Sequence, residues 1–181
     1  MRFIIYTEGS SQKQNGDLRK GFAELFRSKL PAKSLFVMGD GKTLTIRKFL
    51  NHDKSSLYRD GRRILLLDSD CSDDKKMDSI NYVTYPELRK LDKDIFFMVQ
   101  ATEAWFISQK DKIDLVFGKG TSDKLTKQKA IEITDPKAVL KTAIPIYHEV
   151  RHGSELLSKL DLHKLKADFK DVEKLLELDK P

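Results

Sequence analysis

Four apolar runs of four or five residues, Phe3–Tyr6, Ser34–Met38, Arg63–Leu67 and Ile95–Val99, divide the first hundred residues of this chain. Each is bounded by polar or glycine-containing turns. Runs of this length and composition read as strands buried on both faces. Between them the spacing turns helical. Leu18, Phe22, Leu25 and Phe26 define one face of a helix over Leu18–Leu30, with Asp17 as its cap and Pro31 as its stop. A polar loop over Ser10–Gly16 precedes it. Lys42–Asn51 reads as a second helix after the turn Gly39-Asp40-Gly41. Strands alternating with helices at this spacing imply βαβ units, right-handed crossovers and a parallel sheet. The expected fold is therefore α/β: a Rossmann-like, mostly parallel sheet of about four strands flanked by helices.

A short helix or loop is expected around Asp78–Asp92, and a helix over Thr102–Ile107. After Ser108 the strand signal ends. Ile113–Phe117 reads as a short helix and Gly118–Lys129 as a loop. Asp135-Pro136 reads as a helix start with proline in the first turn, and Val150–Leu160 and Leu162–Leu178 as two further helical stretches. Residues 1–110 thus form the α/β core. Residues 111–181 form a helical extension packed on it, the whole being one domain.

The chain has 181 residues, enough to bury a single core unaided. Its one cysteine, Cys71, allows no intrachain disulfide and no cysteine zinc cluster, which fits a reducing cytosol. No run is long enough to span a bilayer, and the N-terminus opens on a strand-like run with no signal-peptide pattern. The net charge of +6 suits either a solvated lysine-rich surface or one that faces a polyanion.

Against that basic background, acids stand at the carboxyl ends of two strands, where open parallel sheets bind their ligands. Glu8 follows the first strand and Asp68 and Asp70 follow the third. A D-x-D in extended backbone sends both carboxylates to one side, about 6–7 Å apart. Asp is also common in turns and caps, so these two positions have a structural reading as well. Glu8-Gly9 has no such rationale. Three acids converging without a basic partner repel one another, and a hard divalent cation relieves that cost. Asp73 and Asp74 extend the acidic run, as solvated loop residues or as outer contacts to the same site. Glu103 either reaches the same sheet edge or decorates a helix N-terminus. Gly39-Asp40-Gly41-Lys42-Thr43 lacks P-loop spacing, although backbone amides there, with Lys42, can meet an anion. His148-Glu149-Val150-Arg151-His152 reads H-E-x-x-H, the spacing of two zinc ligands and a base on a helix, or else a solvated basic helix face.

Ile4-Ile5-Tyr6-Thr7-Glu8-Gly9, Gly39-Asp40-Gly41-Lys42, Leu65–Asp70 and Phe97-Met98-Val99-Gln100-Ala101-Thr102-Glu103-Ala104-Trp105-Phe106 together resemble the TOPRIM domain of topoisomerases, primases and OLD-type nucleases. The chain looks closest to small stand-alone TOPRIM-like proteins of unknown function, often encoded beside ABC-type ATPases. The resemblance covers about residues 1–110. It implies that Asp68 and Asp70 ligate Mg2+ or Mn2+, that Glu8 is a ligand or general acid/base, and that Glu103 is a further ligand. Gly9, Lys42, Asp73 and Asp74 would be outer or anion-binding residues. The implied function is a metal-dependent nuclease, with DNA placed ahead of RNA and an ABC-type ATPase as a partner, in the cytoplasm. The alternative is a non-catalytic module docking on such an ATPase or on nucleic acid. No topoisomerase-like tyrosine is assignable, so strand passage is not implied. Haloacid-dehalogenase phosphatases carry their D-x-D on the first strand, where this chain has Glu8.

Overall fold

The computed structural model describes residues 2–10 and 17–178. The expected loop over Ser10–Gly16 falls, beyond Ser10, outside the described residues. Four strands, β1 (Phe3–Thr7), β2 (Leu35–Met38), β3 (Arg62–Asp68) and β4 (Ile95–Met98), form one parallel sheet in the order β2-β1-β3-β4. The α/β expectation holds, as does the placement of all four strands.

Residue alternation along each strand divides the core into two layers. Phe3 and Ile5 of β1, Ile64 and Leu66 of β3, and Phe96 and Met98 of β4 face one layer. It is filled by α1 (Leu18–Phe26), α3 (Thr102–Ser108), α5 (Pro136–Ala143), α6 (Arg151–Lys159), α7 (Leu162–Asp168) and α8 (Lys170–Glu177), with α4 (Lys110–Phe117) at its margin. Ile4, Tyr6, Leu65, Leu67, Ile95 and Phe97 face the other layer, against Ile46 and Phe49 of α2 (Lys42–Leu50). Ile80 and Leu88, from short 3₁₀ turns between β3 and β4, complete that side. The C-terminal helices are therefore part of the first layer's core.

Side-chain caps set several helix starts. Asp17 accepts from Lys20 N (3.2 Å) and Asp135 from Ala138 N (2.8 Å), with Pro136 at the first turn of α5. Asp161 caps α7 by accepting from His163 N at 2.8 Å. α1 and α6 pack closely because residue 21 is glycine: a Cβ there would lie 2.6 Å from Ser154 O. Ser154 Oγ donates to Asp17 O at 2.6 Å across the same contact.

The apolar spacing from Leu162 to Leu178 runs without interruption, but the structure breaks it into α7 and α8 at Phe169. That residue has extended backbone (φ −127°, ψ 106°) and is fully buried, its ring 6.3 Å from that of Trp105. The break aims Asp171, only 4% exposed, at the edge strand, where it accepts from Phe97 N at 2.8 Å. Its other oxygen takes Lys76 Nζ at 2.7 Å, so α8 caps an unpaired donor of β4 and anchors the loop after β3.

β1 leads through α1 across one face of the sheet to β2. β3 leads across the opposite face to β4. The chain thus leaves these two neighbouring strands in opposite directions, and such a switch point opens a crevice at their carboxyl ends. Thr7 pairs with Leu66 in the register, which sets Glu8 beside the end of β3.

Candidate functional site

The crevice holds a pocket of about 160 Å³, lined by Glu8, Asp68, Asp70, Glu103 and Glu149 together with Lys137, the one cation among the described lining residues. Leu18, Phe22 and Phe106 supply apolar wall, and Thr102 and Tyr147 supply hydroxyls.

Glu8 is the first residue beyond β1. Gly9 follows at φ +123°, where a Cβ would meet Met38 Cε at 2.7 Å and Leu18 Cδ1 at 2.9 Å, so the turn needs glycine. Glu8 points into the crevice: its Oε1 accepts the Asp68 amide at 3.2 Å. Burial pushes the Glu8 carboxyl up to about 7; Asp70 adds to the rise, and Lys42 and the Asp68 amide oppose it. Asp68 ends β3. Its Oδ1 accepts from Thr102 N (2.9 Å) and Thr102 Oγ1 (3.1 Å) at the start of α3. Burial, then the charges of Glu8 and Glu103, hold its carboxyl well above the usual range. Glu103, 7% exposed, accepts from the Tyr147 hydroxyl at 3.0 Å, and burial raises its carboxyl too. Burial and then Glu103 push the Tyr147 phenol far above its ordinary value.

Glu8, Asp68 and Glu103 therefore meet at one rim, as the positions of their strands require. Each gives one oxygen to a protein donor, and each is disfavoured as an anion by enclosure. Their donor set is all oxygen, which suits Mg2+ or Mn2+. Among the described residues no three His, Cys, Asp or Glu side chains stand in a ready-made metal-holding group. The fit to a hard cation rests on the donor chemistry and on the enclosure that raises all three carboxyls.

The structure amends several expectations. Asp70 lines the pocket, but its backbone is left-handed (φ +54°), so the extended D-x-D geometry ends at Asp68. Asp70 is exposed and paired with Lys42, hence the acidic cluster is not without a basic partner. Lys42 begins α2 and meets that carboxylate. Asp73 sits apart from the pocket, binding Lys76 at 2.8 Å, and exposed Asp74 takes the Ser72 hydroxyl at 2.5 Å.

The H-E-x-x-H stretch does not lie on one helix. α6 begins at Arg151, and the two imidazoles serve as local acceptors: His152 Nδ1 takes His148 N (2.9 Å) and His148 Nδ1 takes Arg151 N (3.3 Å). Glu149 turns instead to the pocket, where Lys137 Nζ and Lys141 Nζ each reach it at 2.7 Å. Both lysines overcome the effect of burial and hold its carboxyl below the ordinary value.

Lys137, Tyr147 and Thr102 are pocket residues to which sequence reasoning gave no role, and Glu149 was read only as the base of the H-E-x-x-H pattern. Lys137 and Lys141 stand i, i+4 on a helix whose start was readable, and that spacing was the available signal. Tyr147 and Glu149 come from the irregular stretch between α5 and α6, where the H-E-x-x-H spacing pointed to a different site.

Compared with known proteins, residues 7–178 match the family model described as a domain of unknown function, DUF4276. No curated protein and no solved structure matches the chain.

Proposed function

The chain belongs to the DUF4276 family, and from that premise we propose that it is a TOPRIM-like, Mg2+- or Mn2+-dependent phosphodiester hydrolase acting on nucleic acid. The observation that carries the reading is the meeting of Glu8, Asp68 and Glu103 in one pocket at the switch point of the sheet.

Glu8, Asp68 and Glu103 would hold the cation, with Asp70 at the rim. A bound divalent ion supplies charge neutralisation on phosphoryl oxygens and a water made acidic enough to attack. The remaining work belongs to the chain. Thr102 fixes Asp68 through two hydrogen bonds, and Tyr147 fixes Glu103, so both carboxylates are oriented before any ligand arrives. Glu8 titrates near neutrality, which suits a group that gives and takes a proton at a reacting oxygen. Leu18, Phe22 and Phe106 exclude water from one side and strengthen every charge interaction in the pocket.

Nicking of supercoiled plasmid tests the reading. The expected result is Mg2+- or Mn2+-dependent nicking by the wild type and a loss of at least 100-fold in Asp68→Asn, as expected when a metal-holding group is removed. Cation binding with no cleavage of DNA or RNA would replace the hydrolase with a non-catalytic TOPRIM-like module. Copurification with an ABC-type ATPase would then be the next measurement.

A further inference from the structure

The C-terminal wall of the pocket carries a cation whose ion-pair partner, Glu149, lines the same pocket. Lys137 stands on the first turn of α5, outside the segment in which the TOPRIM resemblance lies. Among the described residues it is the pocket's single lining cation. Burial works against its charge, but the hydrogen bond to Glu149 and the charges of Glu149, Glu103 and Asp68 hold its ammonium above the ordinary value. Its contact, however, is with Glu149 rather than with Glu103 or Asp68. Glu149 has a second lysine, Lys141, at the same 2.7 Å, so it keeps a counter-ion if Lys137 turns away. The Lys137 side chain is 44% exposed, which leaves it room to turn.

We propose that Lys137 is the anion-positioning residue of this pocket, exchanging Glu149 for an oxygen of a phosphoryl group that enters once a divalent cation has neutralised Glu8, Asp68 and Glu103. The inference rests on the cation site of the preceding section and names the group that completes it. Without the cation, an oxyanion meets five carboxyl groups, which repel it wherever they are ionised, against one ammonium among the described lining residues. With the cation, a phosphoryl group has the ion on the strand side and an ammonium on the α5 side. Cation and anion then bind with positive coupling, and each raises the affinity for the other by the same factor.

Calorimetry on the full chain tests this with Mg2+ alone, inorganic phosphate alone, and inorganic phosphate added to the Mg2+-saturated protein. The wild type is expected to bind phosphate measurably only with Mg2+ present. Lys137→Gln should weaken that phosphate affinity about 10-fold or more, the loss expected for one charge-assisted hydrogen bond. It should leave Mg2+ affinity equal or slightly tighter, because a nearby positive charge is gone. Lys141→Gln removes the other partner of Glu149 without touching the pocket lining, and should leave phosphate affinity within about 2-fold. Lys137→Arg should recover part of the loss, which a packing role at this site would not require. Matching losses in the two Gln variants, no loss in Lys137→Gln, or phosphate binding equally well without Mg2+ overturns the inference alone, as does Mg2+ binding with no phosphate binding in the wild type. An absence of Mg2+ binding in the wild type overturns the cation site and this inference together.

Discussion

Glu8→Gln is expected to stabilise the metal-free protein at alkaline pH and to do nothing for it in acid. Glutamine keeps an acceptor for the Asp68 amide while removing a charge that enclosure disfavours. The folded protein holds the Glu8 proton up to about 7, against an ordinary value of 4.5. A carboxyl raised on folding adds stability in full below its unfolded value, and that stability is lost as pH climbs through the folded value. The window is therefore roughly pH 4.5 to 7. At about 1.4 kcal/mol per pH unit, the interval corresponds to about 3 kcal/mol lost by the wild type at pH 8. Glu8→Gln escapes that loss. In a chain of this size the difference should appear as a melting temperature roughly 5–10 °C higher for the variant at pH 8. The assay is thermal or urea unfolding of both proteins in chelator at pH 4 and pH 8, repeated at pH 8 with 10 mM Mg2+. The cation should raise the wild type by more than the variant and narrow the gap. Equal stabilities at pH 8, or a variant gain of the same size at pH 4, would show that the charge of Glu8 carries no strain and refute the reasoning.

Other expectations concern the framework that holds the pocket. Gly21→Ala places a methyl 2.6 Å from the Ser154 carbonyl at the α1–α6 contact and should cost about 1–3 kcal/mol in urea unfolding. Asp171→Ala leaves the Phe97 amide without its buried acceptor and Lys76 with Asp73 alone, and a loss of about 1–3 kcal/mol is expected. In that variant, hydrogen exchange should rise first around the loop at residues 72–79, which α8 pins, while Asp74→Ala in the same loop should leave the unfolding midpoint unchanged.

The readable part of this chain was the part whose physics is local. Strand runs such as Ile64–Leu67 announce themselves because a buried parallel strand has no polar face to show, and their order along the chain fixed where Glu8 and Asp68 would emerge. Asp17, Asp135 and Pro136 marked helix starts because capping depends on neighbours within one turn. What escaped depends on contacts between distant segments. The spacing through Phe169 continues the helical pattern, and only the need to seat that ring against Trp105 and to bring Asp171 to β4 breaks it. The H-E-x-x-H spacing misled for the related reason that a spacing rule presumes a helix, and α6 starts too late to include His148. Lys42 was read beside an anion-binding turn, and its pairing with the Asp70 carboxylate, 28 positions away, was not readable from either residue's neighbours. The opposite wall of the pocket, Lys137, Tyr147 and Glu149, is assembled by packing of the C-terminal helices and left almost no trace in the order of the residues.

A cation shared by the enclosed carboxylates is the premise of the proposed chemistry. Anomalous scattering from Mn2+-soaked crystals measures this most directly. The expected result is an anomalous peak bonded to carboxylate oxygens of both Glu8 and Asp68, with Glu103 within reach of the same ion or its water shell. Manganese bound only elsewhere on the surface, with Glu8 still accepting the Asp68 amide in an unchanged pocket, would contradict it.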